Sequence, residues 1–189
     1  MENKFYIENR FELANAAQES DFLKIEGYAC RFDMENLNGQ ICDAKSFDAF
    51  FEMYNSGKLR PFVNWEHDSD KVIGGIDDIA VMDDGLYLQA RLNMNVPLVR
   101  DMIAPNVLAG DIDSFSTEGR TLNSPMEDLV VRKDGSFYVK NFILTAVAVV
   151  TIPADWTAKF GLANYLEGWK QLRAEEEARK NSVRLGLIM

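Results

Sequence analysis

The run Phe142-Ile143-Leu144-Thr145-Ala146-Val147-Ala148-Val149-Val150 constrains this fold more than any other stretch of the chain. It is almost wholly apolar, yet far short of the ~20 residues that span a bilayer. A strand with one wet face would alternate, so this one is predicted to be covered on both faces. Pro153 ends it, because a proline has no N–H to give to a ladder.

Turn chemistry marks the strands around it. Val72–Val81 and Leu86–Leu92 are predicted to form a hairpin through Asp83-Asp84-Gly85. In its second strand Leu86, Leu88, Ala90 and Leu92 alternate with Tyr87, Gln89 and Arg91, so one face is buried. A further hairpin joins Asp128–Arg132 to a long strand, Ser136–Thr151, through Lys133-Asp134-Gly135. Phe22–Phe32 reads as a strand in which Gly27 marks a bulge or a close backbone approach. Arg60–Trp65 is a short strand, Lys4–Glu12 an edge strand through Phe5 and Ile7, and Met34–Gln40 a loop.

Three helices are expected. Phe47, Phe50, Phe51 and Tyr54 fall on one face of Ala44–Ser56, with Asp43 as N-cap and Gly57 as stop. Val96–Ala109 is the second, with Pro97 in its first turn, an interruption at Pro105 and Gly110 as its end. Asp155 to about Lys180 is the third, leading into a charged tail from about Arg173. The expectation is an α+β protein: a largely antiparallel β-barrel of about seven strands surrounded by helices. Residues 1–155 would form the barrel domain with two helices, and 156–189 a C-terminal helix and mobile or self-cleaved tail.

With 189 residues and 47% hydrophobic side chains the chain can bury a real core as one domain. A net charge of −10 without any Lys/Arg-dense stripe argues against nucleic-acid binding. The first residues lack a basic segment followed by an apolar run, so no secretory signal and no membrane association are expected. Cys30 and Cys42 have no metal-ligand spacing and suit a reducing cytosol. Glu66, His67, Asp68 and Asp70 crowd together, but neighbours on an extended chain point apart and no second His completes a zinc set. Phosphate loops of the Gly-Lys-Ser/Thr and Gly-x-Gly-x-x-Gly kinds are missing too. Neither cofactor nor metal is therefore expected.

The chemistry concentrates in Gly110-Asp111-Ile112-Asp113-Ser114-Phe115-Ser116-Thr117-Glu118-Gly119-Arg120. Read as a strand, its period of two puts Ile112, Ser114, Ser116 and Glu118 on one face and Asp113, Phe115 and Thr117 on the other. A serine hydroxyl needs a base to become a nucleophile, and His is the side chain best tuned for that near neutral pH. The chain has one histidine, so any Ser–His mechanism must use His67.

Six segments in order complete the picture: Ile25-Glu26-Gly27-Tyr28-Ala29, Ser46-Phe47, Asn64-Trp65-Glu66-His67-Asp68, Gly85-Leu86-Tyr87, the helix–Gly–strand passage ending Ser114-Phe115-Ser116, and Val147-Ala148-Val149-Val150-Thr151-Ile152-Pro153-Ala154. Over roughly Leu23 to Asp155 the chain resembles the phage prohead (capsid maturation) proteases, serine peptidases related in fold to the herpesvirus assemblins. The resemblance implies His67 as general base and Ser116 as nucleophile, with Ser114 the alternate because both share a face. It also implies an acidic residue where this chain has Ala146. Candidates to hold the imidazole instead are Glu118, Asp113, Glu66 and Asp68, while Arg120 and backbone N–H groups after Ser116 could serve the oxyanion. Substrates implied are the major capsid protein, scaffold segments and the chain itself, with self-association open. The place implied is the host cytoplasm, inside the assembling prohead. A catalytically inactive assembly module of the same fold is the alternative, with Ala146 as its argument.

Overall fold

A computed structural model of the protein describes residues 21–162. The expected edge strand at Lys4–Glu12 and all of the last helix beyond Leu162 lie outside the described residues.

Among the described residues ten strands form two sheets. Those of the large sheet are β1 (Phe22–Arg31), β3 (Phe62–Trp65), β4 (Asp68–Val81), β5 (Gly85–Asn93), β6 (Ser114–Thr121), β9 (Phe142–Val150) and β10 (Phe160–Leu162). Their order is β10-β1-β5-β4-β3-β9-β6. The small sheet holds β2 (Gln40–Ile41), β8 (Phe137–Val139) and β7 (Leu129–Val131), in that order.

Several expectations change. The barrel is a curled half-barrel with few and short helices, and its sheet is mixed: β9 lies parallel to β3 while the other pairs of the large sheet are antiparallel. Among the described residues its two edge strands form no continuous ladder: an isolated bridge links Ser114 to Lys159, just before β10, beside the bonds Phe115 N–H to Ala158 O and Phe160 N–H to Asp113 O. The long strand expected over 136–151 breaks at Lys140 and Asn141, where Asn141 takes a positive φ of 49°. That break sends β8 into one sheet and β9 into the other. Residues 155–162, expected to start a helix, are turns and β10 instead. Phe160 is drawn onto the sheet by the core, its ring 4.5 Å from that of Phe115.

Strand β9 explains why its sequence is so apolar. Leu144, Val147 and Val149 enter the main core with Phe115, Val63 and Leu88. Ala146 and Ala148 face the other way and are equally buried. Each large apolar side chain sealed in this core contributes about 1.5–3 kcal/mol.

The first helix starts as a 3-10 turn (Ala44–Phe47) and continues as α1 (Asp48–Asn55). Asp43 caps it reciprocally with Ser46, and Gly57 stops it at φ 72°. Phe47 and Phe50 are buried, while Phe51 and Tyr54 pack on the margin. In the second helix the interruption takes the form of a π turn (Val99–Ile103) before α2 (Ala104–Ala109). The wider turn spares the proline ring of Pro105 a clash with the preceding carbonyls. Gly110 then ends it in the left-handed conformation at φ 85° and hands the chain to β6.

Candidate active site

His67 stands on a two-residue turn. Trp65 pairs with Asp68 across β3 and β4, leaving Glu66 and His67 as the link, with φ of 53° and 59°. Two successive positive φ values belong to the mirror-image hairpin turn whose twist matches the strands. Neither residue is Gly, so the turn carries strain of ~1–3 kcal/mol per position. It is held by the end of β9: Glu66 N–H donates to Val149 O, and the Glu66 carboxylate accepts from both the N–H and the hydroxyl of Thr151, each at 2.8 Å.

From that turn the imidazole reaches back over the sheet. His67 Nε2 lies 3.0 Å from Ser116 Oγ, and His67 Nδ1 lies 3.3 Å from Glu118 Oε2. Asn64 Nδ2 donates to the same Glu118 oxygen at 3.0 Å. The ladder accounts for this gathering: Ser116 pairs with Ala148, which pairs with Asn64, and Glu118 pairs with Ala146. The two alanines keep the floor low, so Asn64 and Glu118 can meet above it. Register slips just beyond, between Glu118 and Gly119, and Thr145 there donates its hydroxyl to the Glu118 carbonyl at 3.2 Å. With Nδ1–H directed at the carboxylate, Nε2 presents a lone pair to the hydroxyl. That is the tautomer in which a serine can be deprotonated.

The pair opens into a cleft of about 420 Å³. Met34, Leu37 and Ile152 stand exposed along it, and Cys30 and Cys42 lie in its wall as free thiols. Cys30 Sγ donates to the Arg31 carbonyl at 3.4 Å; the neighbouring Cys42 thiol, with burial, pushes Cys30 well up, and Cys30 in turn brings Cys42 down.

The other candidates go elsewhere. Ser114 donates to Asp113 Oδ1 at 2.7 Å, and Lys159 Nζ donates to Ser114 Oγ at 2.8 Å and to Asp113 at 2.6 Å. Burial alone would raise Asp113, but the bonds from Lys159 and Ser114 hold its carboxyl below the usual range. Asp68 pairs with Lys71, and Glu66 is taken by Thr151. Arg120 is exposed and does not line the cleft. Among the described residues no three His, Cys, Asp or Glu side chains are grouped to hold a metal ion. Sequence reasoning missed Asn64 as a partner of Glu118. The signal was there: one amide in the otherwise apolar stretch Pro61-Phe62-Val63-Asn64-Trp65.

A model of the caudovirus prohead serine proteases matches residues 11–167. This chain belongs to that family. The chain also shares its fold with solved structures. The capsid assembly protease of bacteriophage T4 is 20% identical, with a TM-score of 0.54 over 69% of this chain and 82% of that one. The KSHV protease, solved with a hexapeptide phosphonate inhibitor, is 11% identical, with a TM-score of 0.52 over 89% of this chain and 80% of that one. No curated protein matches significantly. Among the described residues no helix is long and apolar enough to cross a membrane.

Proposed function

We propose that this prohead protease is a serine endopeptidase with Ser116 as nucleophile, His67 as general base and Glu118 as the acid that orients the imidazole. The observation that carries the reading is the 3.0 Å contact between His67 Nε2 and Ser116 Oγ, backed by Glu118 at Nδ1. Attack by Oγ on a peptide carbonyl passes the hydroxyl proton to Nε2. The imidazolium so formed is stabilised by the adjacent carboxylate, then gives its proton to the leaving amine. Water repeats the sequence on the acyl-enzyme. The N–H of Phe115 leaves the β9 ladder to bond Ala158, so the N–H of Thr117, two residues on, faces the same edge and is the oxyanion donor.

Substrates are the capsid protein, scaffold segments and the chain itself, inside the assembling prohead. The peptidase unit runs through β10, and the charged segment from Arg173 is the place for docking or self-cleavage. The inactive-module alternative rested on Ala146. Its weight falls because Glu118, the cross-strand partner of Ala146, brings a carboxylate to the imidazole. The test is co-expression with the cognate capsid protein. Cleavage is expected from the parent chain and from Ser114→Ala, and none from Ser116→Ala. Full processing by Ser116→Ala would refute the assignment.

A further inference from the structure

Asn64 is fully buried in the centre of β3, and its two amide atoms fare differently. Nδ2 donates to Glu118 Oε2 at 3.0 Å, while Oδ1 has no hydrogen-bond partner among the described residues. A sealed acceptor left unpaired is unfavourable, and a strand interior would be better served by an apolar side chain of the same size. Packing therefore does not explain an amide here. The oxygen it donates to is the one 3.3 Å from His67 Nδ1, so a single carboxylate oxygen is held from two sides. Turning the amide over would set Oδ1 against that carboxylate, acceptor to acceptor. The observed orientation, with the amide N–H toward the carboxylate, avoids that clash.

We propose that Asn64 is a positioning residue of the peptidase: it fixes the Glu118 carboxylate, and through it holds the His67 ring with Nε2 toward Ser116. This rests on the Ser116–His67–Glu118 reading. Asn64 lies beneath the acid, away from the cleft, so its loss slows the chemistry and leaves substrate binding intact. It acts only through Glu118, so its effect vanishes once Glu118 is gone.

The full chain is assayed with a fluorophosphonate, whose phosphorus is attacked by Ser116 Oγ as fluoride leaves. Four proteins are compared: parent, Asn64→Leu, Glu118→Ala and the double variant. Asn64→Leu is expected to label about 10–100-fold more slowly, through the maximal inactivation rate and not through the probe's half-saturating concentration. Its melting temperature should equal or exceed the parent's, since the unpaired acceptor is gone. The double variant should label no more slowly than Glu118→Ala alone. Asn64→Val gives the same comparison should the leucine misfold. Labelling of Asn64→Leu at the parent rate, or losses that multiply in the double variant, overturns the role of Asn64 while leaving the peptidase reading intact. Parent labelling that survives Ser116→Ala overturns both.

Discussion

Strand β6 carries two constellations of the same make, two residues apart. Each has a serine hydroxyl, a basic nitrogen and a carboxylate: Ser116 with His67 and Glu118, and Ser114 with Lys159 and Asp113. They differ in what the nitrogen can do. The Lys159 ammonium donates to both Ser114 and Asp113, and the Ser114 hydroxyl donates in turn to Asp113, so the hydrogen bonds close a ring. An ammonium has no lone pair with which to take a proton. The imidazole has one at Nε2, and its other nitrogen faces a carboxylate. Ser114 therefore fastens the edge of the half-barrel where β6 meets β10, while Ser116 opens onto the cleft beside a nitrogen able to accept its proton.

The largest test of this contrast exchanges the supports. Glu118→Ala is expected to slow fluorophosphonate labelling of Ser116 by about 10⁴, the loss seen when the orienting acid of a serine-protease triad is removed. Lys159→Met, at the other constellation, should leave the rate within about threefold. Equal effects from the two would mean that the sites are not divided in this way.

That division was only half legible in the chain. Period two placed Ser114 and Ser116 together with Glu118, and one histidine left one possible base. The doubly covered strand, the capped aromatic helix and the Asp83-Asp84-Gly85 hairpin were also readable, because each depends on local pattern or turn chemistry. Three features were not. The turn at Glu66 and His67 lacks the Gly or Asn that announces a hairpin, since bonds from Thr151 and to Val149 hold it from a distant strand. The pairing of β9 beside β3 is parallel and long-range, so no turn residue encodes it. Lys159 and Phe160 sat in a helical-looking pattern that tertiary contact with Gly27 and Phe115 overrides.

Gly27 gives the next test, because it reaches the clamp without touching either serine. A Cβ at this position would lie 2.2 Å from Lys159 O and 2.5 Å from Phe160 Cα, both backbone atoms that cannot swing aside. Tyr28 N–H also bonds Lys159 O at 3.1 Å, so β1 and the start of β10 are pressed together here. Gly27→Ala should cost about 1–3 kcal/mol, seen as a melting temperature lower by roughly 2–4 °C per kcal/mol in a chain of this size. The labelling rate measured well below that temperature should fall far less than in Glu118→Ala. A melting temperature unchanged within a degree would mean that β10 is not pinned to β1 as described.

The smallest effect concerns acid. Burial pushes the Asp113 carboxyl up, but hydrogen bonds from Lys159 and Ser114 outweigh it and leave the carboxyl below its usual range. A depressed carboxyl contributes stability that is fully present above the unfolded value of ~3.9 and fades as pH falls through the folded one. Asp113 and Lys159 are each nearly half exposed, at 47% and 46%, so solvent keeps the contribution below about 1 kcal/mol. Asp113→Asn should therefore melt slightly lower than the parent at pH 7, and the gap should close as pH falls from about 5 toward 3. Other depressed carboxyls, Asp68 and Asp134 among them, titrate in both proteins and cancel in the difference. A gap that persists unchanged to pH 3 would show that Asp113 acts through shape alone. Charge would then have no part in fastening β6 to β10, and the contrast with His67 would rest on geometry only.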